Sequence, residues 1–243
     1  MLPEKPWKIE SVARLMLGIF GTLCIGVLLV GAVAYFKPDW SDGNRKLLSM
    51  LIFTLAFHGA ALLWIRSFLK TENISWKEAF GFHMPRKARA VGLGILSTIL
   101  VLPVAWGLQR LSAWILTSRN FQPEPQQVVQ ELQKDGGSLG QQIYLGFVAL
   151  IAAPIVEEIV FRGILYPTIK QAGYPKLALW GTSILFSLTH HNAVAFLPLM
   201  FFAMILALLY EETGNLLAPI IAHASFNTAN FVLLLLAKQY SQF

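Results

Sequence analysis

Two adjacent carboxylates and a guanidinium, Glu157, Glu158 and Arg162, stand in the stretch "VEEIVFRG", inside one of the most apolar parts of the chain. On a helix, side chains four residues apart share a face. Glu158 therefore lies over Arg162 in the favourable acid-before-base order, and the two neutralise each other. Glu157 is rotated about 100° from Glu158 and is left without that partner. A bare carboxylate in hydrocarbon costs several kcal/mol or takes up a proton, so other helices must bring it polar company. Two later stretches offer it: "FSLTH" spaces Phe186 and His190 four apart, and "HASFN" does the same for His223 and Asn227. His191 begins the turn with Asn192 and is the poorer partner. His58 reads as an interhelical hydrogen-bonding residue, and His83 sits among loop basic residues.

A carboxylate beside two imidazoles and a carboxamide has the parts for activating water. Glu157 suits the general base. His190 fixes the water or donates to the leaving amine, while His223 and Asn227 hydrogen-bond the oxyanion of a peptide carbonyl becoming tetrahedral. Glu158, Arg162 and Phe186 support the site, the ion pair by holding the helix in register and keeping positive charge near the base. Glu157, His190 and His223 are also a hydrolytic zinc set with an open position, but without HExxH spacing; zinc is compatible with them and not required.

The elements that must position these residues are membrane helices. Of 243 residues 56% are hydrophobic and 13% charged, and the mean hydropathy is +0.58, more than one soluble core of this length hides. Apolar runs recur at Leu15 to Phe36, Leu47 to Leu69, Val91 to Leu116, Ile143 to Ile169, Leu177 to Thr189, Val194 to Tyr210 and Leu216 to Ala237. Most approach the roughly 20 residues needed to cross the hydrocarbon. They predict an all-α, polytopic bundle of about seven to eight transmembrane helices in a single domain over 1–243. The runs at 177–189 and 194–210 are the short ones, fit for a buried hairpin or tilted pieces. The first run is too long in its apolar core for a cleaved signal peptide and reads as an anchor. Cys24 is the only cysteine, so there is neither a disulfide framework nor a CxxC metal site.

The net charge of +6 does not point to nucleic acid, because the basic residues cluster in loops between apolar runs. Sorted by alternating loops, ten fall on the face of the N-terminus and six on the other, which predicts a cytoplasmic N-terminus in the cell membrane. The loop "TENISWKEAFGFHMPRKARA" suits the headgroup layer, with Trp76, Phe80 and Phe82 among basic residues. The loop "NFQPEPQQVVQELQKDGGS" predicts a surface helix around Val128, Val129 and Leu132. Depth brings the polar residues together. If Lys170, Lys176 and Asn215 mark one membrane face, the helical rise puts Glu157 at about 20 Å, His190 at about 21 Å, Asn227 at about 18 Å and His223 at about 12 Å. Pro154 leaves the carbonyl of Leu150 without its helical donor and bends the helix at this level.

The three motifs, "EEIVFR", "FSLTH" and "HASFN", resemble in order and spacing the EExxxR, FxxxH and HxxxN of the CPBP (ABI) intramembrane proteases, relatives of the type II CAAX prenyl endopeptidase. The stretch "ETGNLLAPIIAH" is similar as well, and the resemblance covers about 143–230. It implies an all-helical membrane bundle whose sunken site cleaves peptide bonds with glutamate-activated water, described for some members as metalloprotease chemistry. Eukaryotic relatives act after a prenylated cysteine, so the implied partners are a peptide or protein substrate, lipidated or membrane-embedded, and membrane lipid. Two other classes compete: a non-enzymatic bacteriocin-immunity or scaffold protein of the same family, and a proton-coupled transporter built on intramembrane Glu, His and Arg. The full motif set disfavours the former, and the absence of an internal repeat disfavours the latter.

Overall fold

An apolar segment can cross lipid only if its backbone polar groups are satisfied within the segment or by a closed sheet, and this sequence takes the helical route. The computed structural model describes residues 4–37, 42–83, 87–122, 129–130 and 139–240, and every regular element in them is helical. Counted through their π-helical turns they make eight helices. These are α1 (Ile9–Phe36), α2 (Asp42–Thr54, continued by Leu55–Gly59 and Ala60–Thr71), α3 (Trp76–Ala79), α4 (Lys87–Ser118), α5 (Leu139–Gln171), α6 (Pro175–Leu188), α7 (Ala193–Thr213) and α8 (Leu217–Tyr240). Six of them, all but α3 and α6, are long and apolar enough to cross a bilayer. The 177–189 run forms α6, whose 14 residues reach only about 21 Å, less than the hydrocarbon thickness. The surface helix expected around Val128 and Leu132 falls largely on residues 123–128 and 131–138, outside the described ones.

The chain groups into two compact units, Pro6–Ala79 and Phe80–Phe243 with Met1–Lys5. In the Pro6–Ala79 unit, α1 packs along α2 through small residues. A Cβ on Gly18 would lie 2.7 Å from the Trp64 indole, and one on Gly26 would lie 2.6 Å from Ala56 Cβ. Close approach at small residues is how helices pair where lipid removes the hydrophobic drive. A capping box opens α3: the Ser75 N–H donates to Glu78 Oε2 at 3.2 Å, and the Glu78 N–H donates to Ser75 Oγ at 3.3 Å.

In the second unit α4 lies along both α7 and α8. Val101 and Ala105 of α4, Phe202 and Leu206 of α7, and Ala222 and Phe226 of α8 share one core. Thr98 donates its hydroxyl to the Ala222 carbonyl at 2.9 Å, and a Cβ on Gly94 would come within 2.7 Å of the Ala218 carbonyl oxygen. The loop before α4 crosses the α7–α8 turn. Gly81, at φ 73°, has no room for a Cβ, which would fall 2.0 Å from the Gly214 carbonyl oxygen. The Leu216 N–H bonds the Phe80 carbonyl at 2.9 Å. Phe80 is fully buried, so of the aromatic residues expected at headgroup level it is the one drawn into protein.

Helix α5 is not regular. π-helical turns at Val148–Ala152 and Ile159–Leu165 bracket the α-helical Ala153–Glu158, and such turns favour functional segments. In the first turn the Ala153 N–H donates five residues back, to the Val148 carbonyl. In that register the donor due to Ala149 is residue 154, a proline without an N–H. The widened turn thus moves the vacancy from the Leu150 carbonyl, where an α-helix places it, to Ala149.

Candidate active site

Glu158 and Arg162 are 0% and 1% exposed and meet as the i, i+4 spacing dictates, with Arg162 Nη1 donating to Glu158 Oε1 at 2.8 Å. Arg162 Nη2 donates to the Ala203 carbonyl of α7 at 3.1 Å, and the guanidinium carbon lies 4.4 Å from the Phe186 ring centroid. A desolvated cation is tolerable when its charge is paired and its π-face is covered. His223, on α8, presents Nδ1 to the same Glu158 oxygen at 2.8 Å. A carboxylate only accepts, so this Nδ1 carries the hydrogen and Nε2 bears the lone pair. The Nε2 atom faces Glu157 Oε2 at 3.9 Å, a separation at the edge of ion pairing and too long for a hydrogen bond.

Glu157 is partly accessible, its side chain 16% exposed, and its Oε2 has no hydrogen-bond partner. The two neighbouring carboxylates are treated differently: Arg162 and His223 both take Oε1 of Glu158 and leave its Oε2 without a hydrogen bond, while Glu157 has no ion-paired guanidinium and directs its unpartnered Oε2 at an imidazole. Phe186 forms the floor, with its centroid 4.9 Å from the His190 ring and 5.7 Å from that of His223. Phe202 of α7 closes on His223 edge to face at 5.7 Å.

His190 joins less directly. Its Nδ1 donates to the Phe186 carbonyl at 2.8 Å, which a carbonyl permits only if that nitrogen holds the hydrogen, and Nε2 is left with its lone pair. Its link to the other residues runs through the Phe186 ring. The Asn227 amide is also engaged, donating through Nδ2 to the Ala149 carbonyl at 2.8 Å. As ligands the donors do not converge: among the described residues no three His, Cys, Asp or Glu side chains gather around one ion. His223 and His190 each keep a lone pair on Nε2, the other ring nitrogen being hydrogen-bonded as it is in a ligating histidine, but the side chains as placed do not gather into the zinc set.

One polar cluster escapes the motifs. Tyr166 and Lys170 both donate to Glu211, near the end of α7. Together with Glu158 and Arg162 they continue a four-residue repeat along α5. That spacing was the available signal; the acceptor, 41 residues from Lys170, was not.

A helical chain with six candidate spans and a buried cluster of carboxylates, imidazoles and a guanidinium reads as an integral multi-pass membrane protein. Residues 139–229 match the family described as type II CAAX prenyl endopeptidase, Rce1-like. Over that segment the chain is similar to the Rce1-like CAAX proteases. No curated protein and no solved structure matches the chain.

Proposed function

We propose that this protein is an endopeptidase of the membrane interior in which Glu157 acts as general base on water, cleaving lipidated or membrane-embedded peptides. The observation that carries the reading is the open Oε2 of Glu157, buried without a hydrogen bond and 3.9 Å from His223 Nε2, while the adjacent Glu158 is neutralised by Arg162. A base must have a free lone pair within reach of the proton it takes. In the step so described, water gives its proton to Glu157 and its oxygen to the peptide carbon. The C–N bond then breaks as the amine nitrogen receives that proton back from Glu157, directly or relayed by the lone pair of His190 Nε2. The free amide hydrogen of Asn227 donates to the oxyanion, and His223, its Nδ1–H held by Glu158, completes the polar surround of that oxygen. A cytoplasmic N-terminus in the cell membrane accompanies this reading and is supported by the loop charge bias.

The test is cleavage by purified protein of a fluorogenic peptide library, with and without a prenyl group, before and after chelation. Cleavage that survives chelation and vanishes in Glu157→Gln is the expected result. A Glu157→Gln protein as active as wild type would remove the base.

A further inference from the structure

The amide of Asn227 does a second task on α5, and resting on the reading above we infer that Asn227 is a positioning residue for Glu157. The π-helical register of Val148–Ala152 commits the Ala153 N–H to Val148. The donor next in line for the Ala149 carbonyl is Pro154, which has none. That carbonyl lies at membrane depth, where a bare acceptor finds no solvent. Asn227 Nδ2 fills the place at 2.8 Å from another helix. One turn earlier on α8, His223 bonds Glu158 at 2.8 Å. Helix α8 therefore grips α5 on both sides of Glu157, at a backbone oxygen eight residues before it and at the side chain immediately after it. The grip fixes the rotation of the Ala153–Glu158 segment, and with it the separation of Glu157 Oε2 from His223 Nε2. It also orients the Asn227 amide plane, because one of its two N–H bonds is held by Ala149 and the other must then point elsewhere. The proline and the asparagine form a matched pair: the first creates the acceptor that the second occupies.

The matched pair predicts a rescue. In Pro154→Ala residue 154 regains an N–H, so the Ala149 carbonyl no longer depends on Asn227. The experiment compares wild type, Asn227→Ala, Pro154→Ala and the double variant in detergent, by thermal unfolding without substrate and by the pH dependence of kcat. We expect Asn227→Ala to lower Tm by several degrees in the wild-type background and by little or nothing in the Pro154→Ala background. If Asn227→Ala fails to fold, recovery of folded monomer in the double variant is the equivalent result. We also expect the acidic limb of the kcat profile, which reports the base, to move in Asn227→Ala and to return toward wild type in the double variant. An equal Tm loss in both backgrounds, or a double variant that does not fold, overturns the pairing. An unmoved acidic limb overturns the positioning role. Absence of cleavage in wild type defeats the proposed activity and leaves the thermal comparison intact, so the two failures are told apart.

Discussion

The Pro6–Ala79 unit and the unit after it use comparably apolar helices but hold them together by different means. In the first, Gly18 meets Trp64 and Gly26 meets Ala56 at distances only glycine permits, and 11% of the central window of α1 is buried. In the second, α5 and α7 bury 33% and 44% of theirs, and the contacts that join them include Arg162 to Ala203 and Tyr166 to Glu211. Close approach at glycine joins the first pair of helices, and the second set adds hydrogen bonds and charge to the same device, used there at Gly94. The difference teaches where charged side chains can live in such a protein: where several helices surround them and offer an opposite charge or a hydrogen-bond partner.

The comparison breaks most sharply at Glu157. We expect Glu157→Gln to lower peptide cleavage by about 10²–10⁴-fold with Tm unchanged or raised, since an open carboxylate contributes little to packing. A parallel fall in Tm would mean that Glu157 is structural like its neighbour. Next comes Glu158→Gln, which strands Arg162 among buried groups. Breaking such a pair costs about 3–5 kcal/mol, or roughly 10 °C in a chain of this size. Tm measured beside Glu158→Leu/Arg162→Met, expected to lose less than the single variant, checks it. In the other unit, Gly26→Val forces a side chain against Ala56, and overpacking of about 1–3 kcal/mol should cost a few degrees in Tm while kcat stays at the wild-type value. A changed kcat there would show that the first unit takes part in catalysis.

The smallest effect belongs to Lys5, whose burial pushes its ammonium down to about 8. Between that value and the ordinary value near 10.5 the unfolded chain holds more protons than the folded one. Stability therefore rises as pH climbs from 8 toward 10.5 and gains nothing from this group below 8. Unfolding of wild type and Lys5→Met, followed across that range, should show a shallow rise only in wild type. Identical slopes would deny the burial.

Much of this was legible because helical geometry is local. The Glu158–Arg162 pair follows from a spacing of four, and the apolar runs locate the crossing helices. The rest depends on facts a spacing cannot carry. The straight-helix depth estimate sets His190 level with Glu157, but His190 ties itself to its own backbone and reaches the others through Phe186. Pro154 announces a disturbed helix without saying which carbonyl loses its donor, because the widened turn changes the register. Phe80 looks like a headgroup aromatic until the turn at Gly214 closes over it, and Glu211 has no local mark of its bond to Tyr166.

The ion pair within α5 also bears on how the protein enters lipid. Because Glu158 and Arg162 sit one turn apart on the same rod, two of its three central charges cancel before α7 or α8 has been synthesised. A nascent segment carrying that internal neutralisation can partition from the translocation machinery with a single acid left to protonate or shield. Had the guanidinium come from another span, the two would have had to cross the apolar barrier separately and find each other afterwards.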